Sequence, residues 1–186
     1  MECVPKLRNK MKQQARKVRV VLMDVDGVLT NGEIVYSSSG EEIKIFNSHD
    51  GLGIRLANEA GLKTGLISAR DSEAIRIRAR ELKMEILFLG KYHKQQSYNA
   101  FKENYHFKDE EVCFIGDDLP DLPVLTLVGF PVVVRNAYSK VKEEIPFHTE
   151  KEGGKGAVRE AIEFILEAQG KLDKTMEYIV KLDSQV

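Results

Sequence analysis

The chain has 186 residues, 42% of them hydrophobic, enough to bury one sizeable core in a single compact domain. Its 28 Lys and Arg against 29 Asp and Glu leave a formal net charge of -1, so no overall field draws it to nucleic acid or to an acidic membrane, and an anionic ligand must be held by local charge. The two cysteines, Cys3 and Cys113, exclude a disulfide framework and a thiolate metal site, which fits a reducing cytoplasm.

Residues 1–17 form a basic N-terminal extension carrying Lys6, Arg8, Lys10, Lys12, Arg16 and Lys17. It lacks the continuous apolar stretch of a secretion signal, and no run in the chain is long enough to cross a membrane. It also has no aromatic residue to stack on bases, so a solvated arm is expected.

From residue 18 the pattern changes. Apolar runs at Val18–Met23, Lys63–Ile67, Ile86–Leu89, Val112–Ile115 and Phe130–Val134 have the length of strands buried on both faces, and read as five parallel strands. A β-hairpin interrupts the alternation after strand one: Ile34-Val35-Tyr36, a Ser37-Ser38-Ser39-Gly40 turn, then Glu42 to Phe46. Helices are expected from Asp50 to Ala60, closed by Gly61, from Ser72 to Leu82, from Lys94 to Tyr105, from Leu122 to Val128 and from Ser139 to Glu144. Gly156 to Gln169 places Val158, Ala161, Ile162, Ile165 and Leu166 at helical spacing, and residues 171–186 form a charged tail that either docks as a short helix or stays mobile. The sum is an α/β doubly wound parallel sheet over residues 18–170, Rossmann-like, with a hairpin insertion and no cap domain; ligands of such sheets bind beyond the carboxyl ends of the strands.

Those strand ends carry Asp24 after the first, Ser68 after the second and Asp117 after the fourth, with Lys94 a little beyond the third. Asp24-Val25-Asp26-Gly27 alone is an ordinary polar turn. A second cluster, Gly116-Asp117-Asp118-Leu119-Pro120-Asp121, brings more carboxylates to the same sheet edge, where they repel unless a cation lies between them. Oxygen ligands without Cys or His partners suit Mg²⁺, held by Asp24, Asp117 and the backbone carbonyl of Asp26, with Asp118 and Asp121 behind them.

Phosphoryl transfer needs a nucleophile, charge compensation and a proton for the departing oxygen. Asp24 is read as the nucleophile that forms an aspartyl-phosphate. Asp26 is read as the acid and then base, its proton held by neighbouring carboxylates. Ser68 and Lys94 are expected on the phosphoryl oxygens.

Asp24 to Thr30, Ser68, Lys94 and Gly116-Asp117-Asp118 resemble the four motifs of the haloacid dehalogenase superfamily, in order and spacing. Asp50-Gly51, Ile67 to Arg70, Arg78 to Leu82, Gly116 to Val124 and Gly153 to Glu160 extend the resemblance to the capless, tetrameric family of 3-deoxy-D-manno-octulosonate 8-phosphate phosphatases, over roughly residues 18 to 170. The second motif departs from the usual Thr-Gly-Arg, reading Ser68-Ala69-Arg70. Arg70 favours the eight-carbon keto acid, since relatives for nine-carbon keto acids tend to carry Glu there.

The resemblance implies a cytoplasmic enzyme of lipopolysaccharide synthesis and a homotetramer in which a neighbour's hairpin and C-terminal tail complete the sugar site. A keto-sugar acid needs a cation for its carboxylate, and Arg70, Arg78, Lys155 and Arg159 are candidates. His49, Asp50 and Gly51 are expected near the substrate, His49 as a cap or contact rather than a base. Two other readings are a non-catalytic oligomerisation module of this fold and a phosphate-accepting signalling receiver. Intact Asp24, Asp26, Lys94 and Asp117 speak against the first, and the Asp two residues after the nucleophile against the second.

Overall fold

A computed structural model describes residues 3–183; residues 1 and 2, and 184–186 of the expected tail, lie outside the described residues. In chain order the elements are α1 (Cys3–Ala15), β1 (Val20–Met23), the hairpin β2 (Val35–Tyr36) and β3 (Glu42–Ile43), α2 (Ser48–Glu59), β4 (Lys63–Ile67), α3 (Glu73–Glu81), β5 (Ile86–Phe88), α4 (Lys94–Tyr105), β6 (Val112–Gly116), α5 (Leu122–Leu125), β7 (Phe130–Val133), α6 (Ser139–Glu144), α7 (Ala157–Ala168) and α8 (Leu172–Asp183).

All five expected strands form, within two residues of the expected ends, in one parallel sheet ordered β5-β4-β1-β6-β7. β1 is central and all four of its residues are buried. The chain winds outward from it in both directions, so the order reverses at β1 and a crevice opens beyond Met23, between β4 and β6.

Helices α1, α2, α7 and α8 pack together as one layer and α4 with α5 as another. α7 buries each of the apolar positions that predicted it. α2 begins earlier than expected because Asn47 caps it, its side chain accepting from the His49 N–H. α5 ends at Leu125 and is preceded by a 3₁₀ turn over Leu119–Asp121.

The basic N-terminal segment differs from the expected solvated arm. Over Cys3–Ala15 it is a helix lying against α7: Ala15 is buried, Met11 packs on the core, Lys12 pairs with Glu167 at 3.1 Å and Arg16 donates to the Ala168 carbonyl. Of the two options for the tail, docking occurs, with α8 packed on α2 and α7 and Ile179 buried.

The hairpin pairs Val35 with Ile43 and Tyr36 with Glu42. Its polarity is inverted: Ile43 and Ile45 are exposed, while Glu42 and Lys44 are the more covered residues. Among the described residues no helix is long and apolar enough to cross a membrane.

Candidate active site

The crevice at the carboxyl end of β1 has a volume of about 270 Å³ and is lined by Asp24, Asp26, Ser68, Arg70, Lys94, Asp117, Asp118 and Asp121, with Tyr92 at its rim. Four strand ends supply these residues, so the topology rather than sequence proximity gathers them. A larger cavity of about 670 Å³ between α2 and α3 contains none of the acidic residues at the strand ends.

Asp24 continues β1 by donating its N–H to the Ile115 carbonyl at 3.0 Å. The following turn folds back on Val25, whose carbonyl accepts from Leu29 and Thr30. Gly27 has φ +88°, and a Cβ there would lie 2.0 Å from Asp117 Oδ2, so only glycine lets the two acidic loops approach. Gly153 presses on the same turn from the far side, where a Cβ would meet the Gly27 carbonyl. The Gly153-Gly154 pair therefore buttresses the Asp24 loop, a role invisible in the sequence.

Asp24, Asp117 and Asp121 each place a carboxylate oxygen within 4.8 Å of the others. Lys94, the first residue of α4 and itself buried, lies 2.9 Å from Asp24 Oδ2 and donates to Asp121 Oδ1. Asp121 is fully occupied otherwise: Oδ2 accepts the backbone N–H of Asp117 at 2.9 Å and of Asp118 at 3.2 Å. It holds the second acidic loop and the lysine, which leaves Asp24 and Asp117 with oxygens free for a metal.

When fully ionised, three carboxylates and one ammonium leave two excess negative charges in the pocket. Burial pushes the Asp24 carboxyl up to about 7, with repulsion from Asp121 adding to it and Lys94 opposing it. Burial likewise raises Asp117 to about 8, reinforced by Asp121 and Asp24. On Lys94, burial acts to lower the pKa, but attraction to Asp24 and Asp121 wins and raises it. A divalent cation removes the excess charge, and an all-oxygen donor set suits Mg²⁺.

Ser68 is buried after β4, its Oγ accepting the Arg70 N–H at 3.2 Å. Asp26 lies at the mouth, and its surroundings correct the expectation of neighbouring carboxylates. Its Oδ1 accepts from Lys44, and its Oδ2 lies 3.6 Å from Arg70 Nε. Asp118 is exposed, accepting the Leu119 N–H at 2.8 Å.

The remaining expected residues are not brought into this crevice. Asp50 is buried, accepting the N–H groups of Gly156 at 3.1 Å and Arg159 at 3.0 Å. That carboxylate secures the start of α7 rather than facing a ligand. Gly51 sits beneath Arg78, whose guanidinium lies 5.8 Å from the Phe46 ring centroid and donates to the Asn47 carbonyl. Arg78, Gly51 and Ser48 line the cavity between α2 and α3. His49 is exposed, and Lys155 and Arg159 pair with Glu152 and Glu163 at 2.7 Å each.

The profile of the haloacid dehalogenase-like hydrolases matches residues 83–162. The 3-deoxy-D-manno-octulosonate 8-phosphate phosphatase of Haemophilus influenzae is 38% identical over 161 residues, 87% of this chain and 89% of that protein. The chain belongs to this phosphatase family of the haloacid dehalogenase superfamily. Among solved structures, a subfamily III A haloacid dehalogenase hydrolase from Legionella pneumophila superimposes with a TM-score of 0.92 at 34% identity, covering 96% of this chain and 98% of that one. The family's enzyme from Moraxella catarrhalis, solved with magnesium ion, phosphate ion and KDO, gives 0.89 at 34% identity, covering 92% and 98%.

Proposed function

We propose that this chain is a Mg²⁺-dependent phosphomonoesterase that hydrolyses 3-deoxy-D-manno-octulosonate 8-phosphate to the free keto-sugar acid and phosphate. One observation carries the reading: a carboxylate at the end of the central strand, free to attack, lies in a pocket whose other groups are matched to a metal and a phosphoryl group.

Asp24 and Asp117, with the Asp26 carbonyl, would hold Mg²⁺, which when bound lowers the repulsion between the Asp24 carboxylate and the phosphate dianion. An Asp24 oxygen bonds to phosphorus while the bond from phosphorus to the sugar oxygen breaks, and the departing oxygen takes a proton from Asp26. Water then attacks the aspartyl-phosphate, Asp26 takes its proton back, and Asp24 and phosphate are released. Lys94 and Ser68 hold the phosphoryl oxygens. Arg70, at the mouth, is the cation placed to meet the substrate's carboxylate.

The test is turnover of eight-carbon and nine-carbon keto-acid phosphates with Mg²⁺. We expect kcat/KM to favour the eight-carbon substrate by about 10²-fold, on the order of 3 kcal/mol of differential transition-state binding. Equal values would remove the substrate assignment while leaving the chemistry.

The enzyme acts as a cytoplasmic homotetramer in this reading. The crevice is open, water weakens every charge interaction in it, and the face of the hairpin that carries Val35, Ile43 and Ile45 is turned to solvent. A two-stranded ribbon with an exposed apolar side is suited to bury that side against copies of itself and to cover a neighbour's site. Sedimentation should give four chains per particle, and Ile45→Lys should dissociate it with a rise in KM; a monomeric wild type with full activity would refute this. The tail docks on its own chain as α8, and its residues 184–186 lie outside the described residues.

A further inference from the structure

The hairpin does something within its own subunit as well. Lys44 follows β3, and its side chain is only 1% exposed. Its ammonium contacts Asp26 Oδ1 and lies 3.1 Å from Glu42 Oε1. Arg70 closes the circuit from the other side, with Nη1 3.3 Å from the same Glu42 oxygen and Nε 3.6 Å from Asp26 Oδ2. Arg70 Nη1 also donates to the Tyr36 hydroxyl at 3.3 Å.

Two carboxylates and two cations thus form a ring, each carboxylate touching both cations. Its members come from the hairpin (Glu42, Lys44), the β1 turn (Asp26) and the loop after β4 (Arg70). A buried ammonium is tolerated only with such partners, since an unpaired one is strongly destabilising. The same requirement works in reverse on Asp26: one oxygen is held by Lys44 and the other is flanked by Arg70.

We propose that Lys44 is a positioning residue, holding the Asp26 carboxyl in the orientation that meets the leaving oxygen, so that the hairpin is a working part of its own subunit's site. This rests on the proposed role of Asp26 as proton donor. Lys44 does not line the crevice and is committed to two carboxylates, which separates it from the groups that meet the phosphoryl oxygens. Misplacing a proton donor by about 1 Å costs on the order of 10²-fold in rate.

The chemistry supplies a test that a merely structural role does not pass. A sugar alkoxide needs a proton to leave, whereas para-nitrophenolate leaves without one. kcat/KM covers the steps up to cleavage of the bond to the leaving group, so it does not include the later use of Asp26 as base. For Lys44→Met we expect kcat/KM on octulosonate 8-phosphate to fall about 30-fold and on para-nitrophenyl phosphate no more than about threefold. Lys44→Arg, which keeps a donor between the two carboxylates, should bring the ratio of the two constants back to within about threefold of wild type.

Should Met at this buried position prevent folding, judged by melting, Lys44→Gln takes its place with the same shift in ratio expected. An unchanged ratio in the folded variant, whether both constants fall together or neither falls, overturns the assignment. Failure of the phosphatase reading looks different: the wild-type chain would then release no phosphate from either compound.

Discussion

Asp24→Asn will abolish turnover while leaving the protein folded. We expect kcat to fall by at least about 10³-fold, on the order of 4 kcal/mol, because the amide that replaces the carboxylate is too weak a nucleophile to form the phosphoenzyme. The loss should be equal for the sugar-acid phosphate and for an aryl phosphate, since both need the same attack. This contrasts with Lys44→Met, where the two substrates separate. Above about pH 8, where the carboxylates are ionised, the substitution removes one charge from a pocket with two in excess, and Lys94 keeps Asp121 as its partner. The metal-free variant should therefore melt no lower than wild type. Phosphate release by the variant at the wild-type rate would end the assignment of Asp24 as nucleophile, whereas a wild type as inert as the variant would return the fold to the binding-module reading.

The second large effect is the linkage of Mg²⁺ to pH. In the folded, metal-free chain burial holds protons on Asp24 up to about pH 7 and on Asp117 up to about pH 8, against an ordinary carboxyl value of 3.8. Between about pH 4 and 8 the folded state therefore binds more protons than the unfolded one, and stability falls as pH rises. The contribution of these two groups is complete below the unfolded value and lost as pH passes through the folded ones.

Mg²⁺ competes with those protons, so it binds weakly where they are on and strongly where they are off. At pH 8 and free Mg²⁺ near 100 times its Kd, ligation is worth about 2.7 kcal/mol, or roughly 5–10 °C in Tm for a domain of this size. At pH 5.5 the same addition should move Tm by less than about 2 °C. Comparing the two increments cancels every titration that does not involve the metal. Equal increments at both pH values, or none at either, would show that the carboxylates do not form the metal site.

Much of this was legible in the residues because burial on both faces of a parallel sheet demands continuous apolar runs, and five such runs occur. The ends of those runs mark the crevice, which is why Asp24, Ser68, Lys94 and Asp117 could be chosen together. The hairpin was equally legible, from a Ser-Ser-Ser-Gly turn between alternating segments. Its inverted polarity was the available signal for Lys44, since Glu42 and Lys44 alternate with Ile43 and Ile45. Alternation says that two faces differ; it does not say which one is covered.

Asp50 shows the opposite failure. Beside Gly51 at a helix start it reads as a ligand contact, but folding brings Gly156 and Arg159, more than 100 positions later, onto its oxygens. Arg78 likewise went to Phe46 and the Asn47 carbonyl, and the N-terminal arm to the face of α7.

By itself, then, the sequence determined what depends on local pattern: the strands, the hairpin, the position of each acidic residue at a strand end, and from these the family and its chemistry. Tertiary structure decided the partners. Asp26 faces two cations rather than carboxylates, Asp121 holds a loop and a lysine, and Gly153 supports the Asp24 turn. The physical reason is that a side chain's position along an element follows from periodicity, whereas the charge opposite it comes from a segment whose approach is set by the packing of the whole sheet.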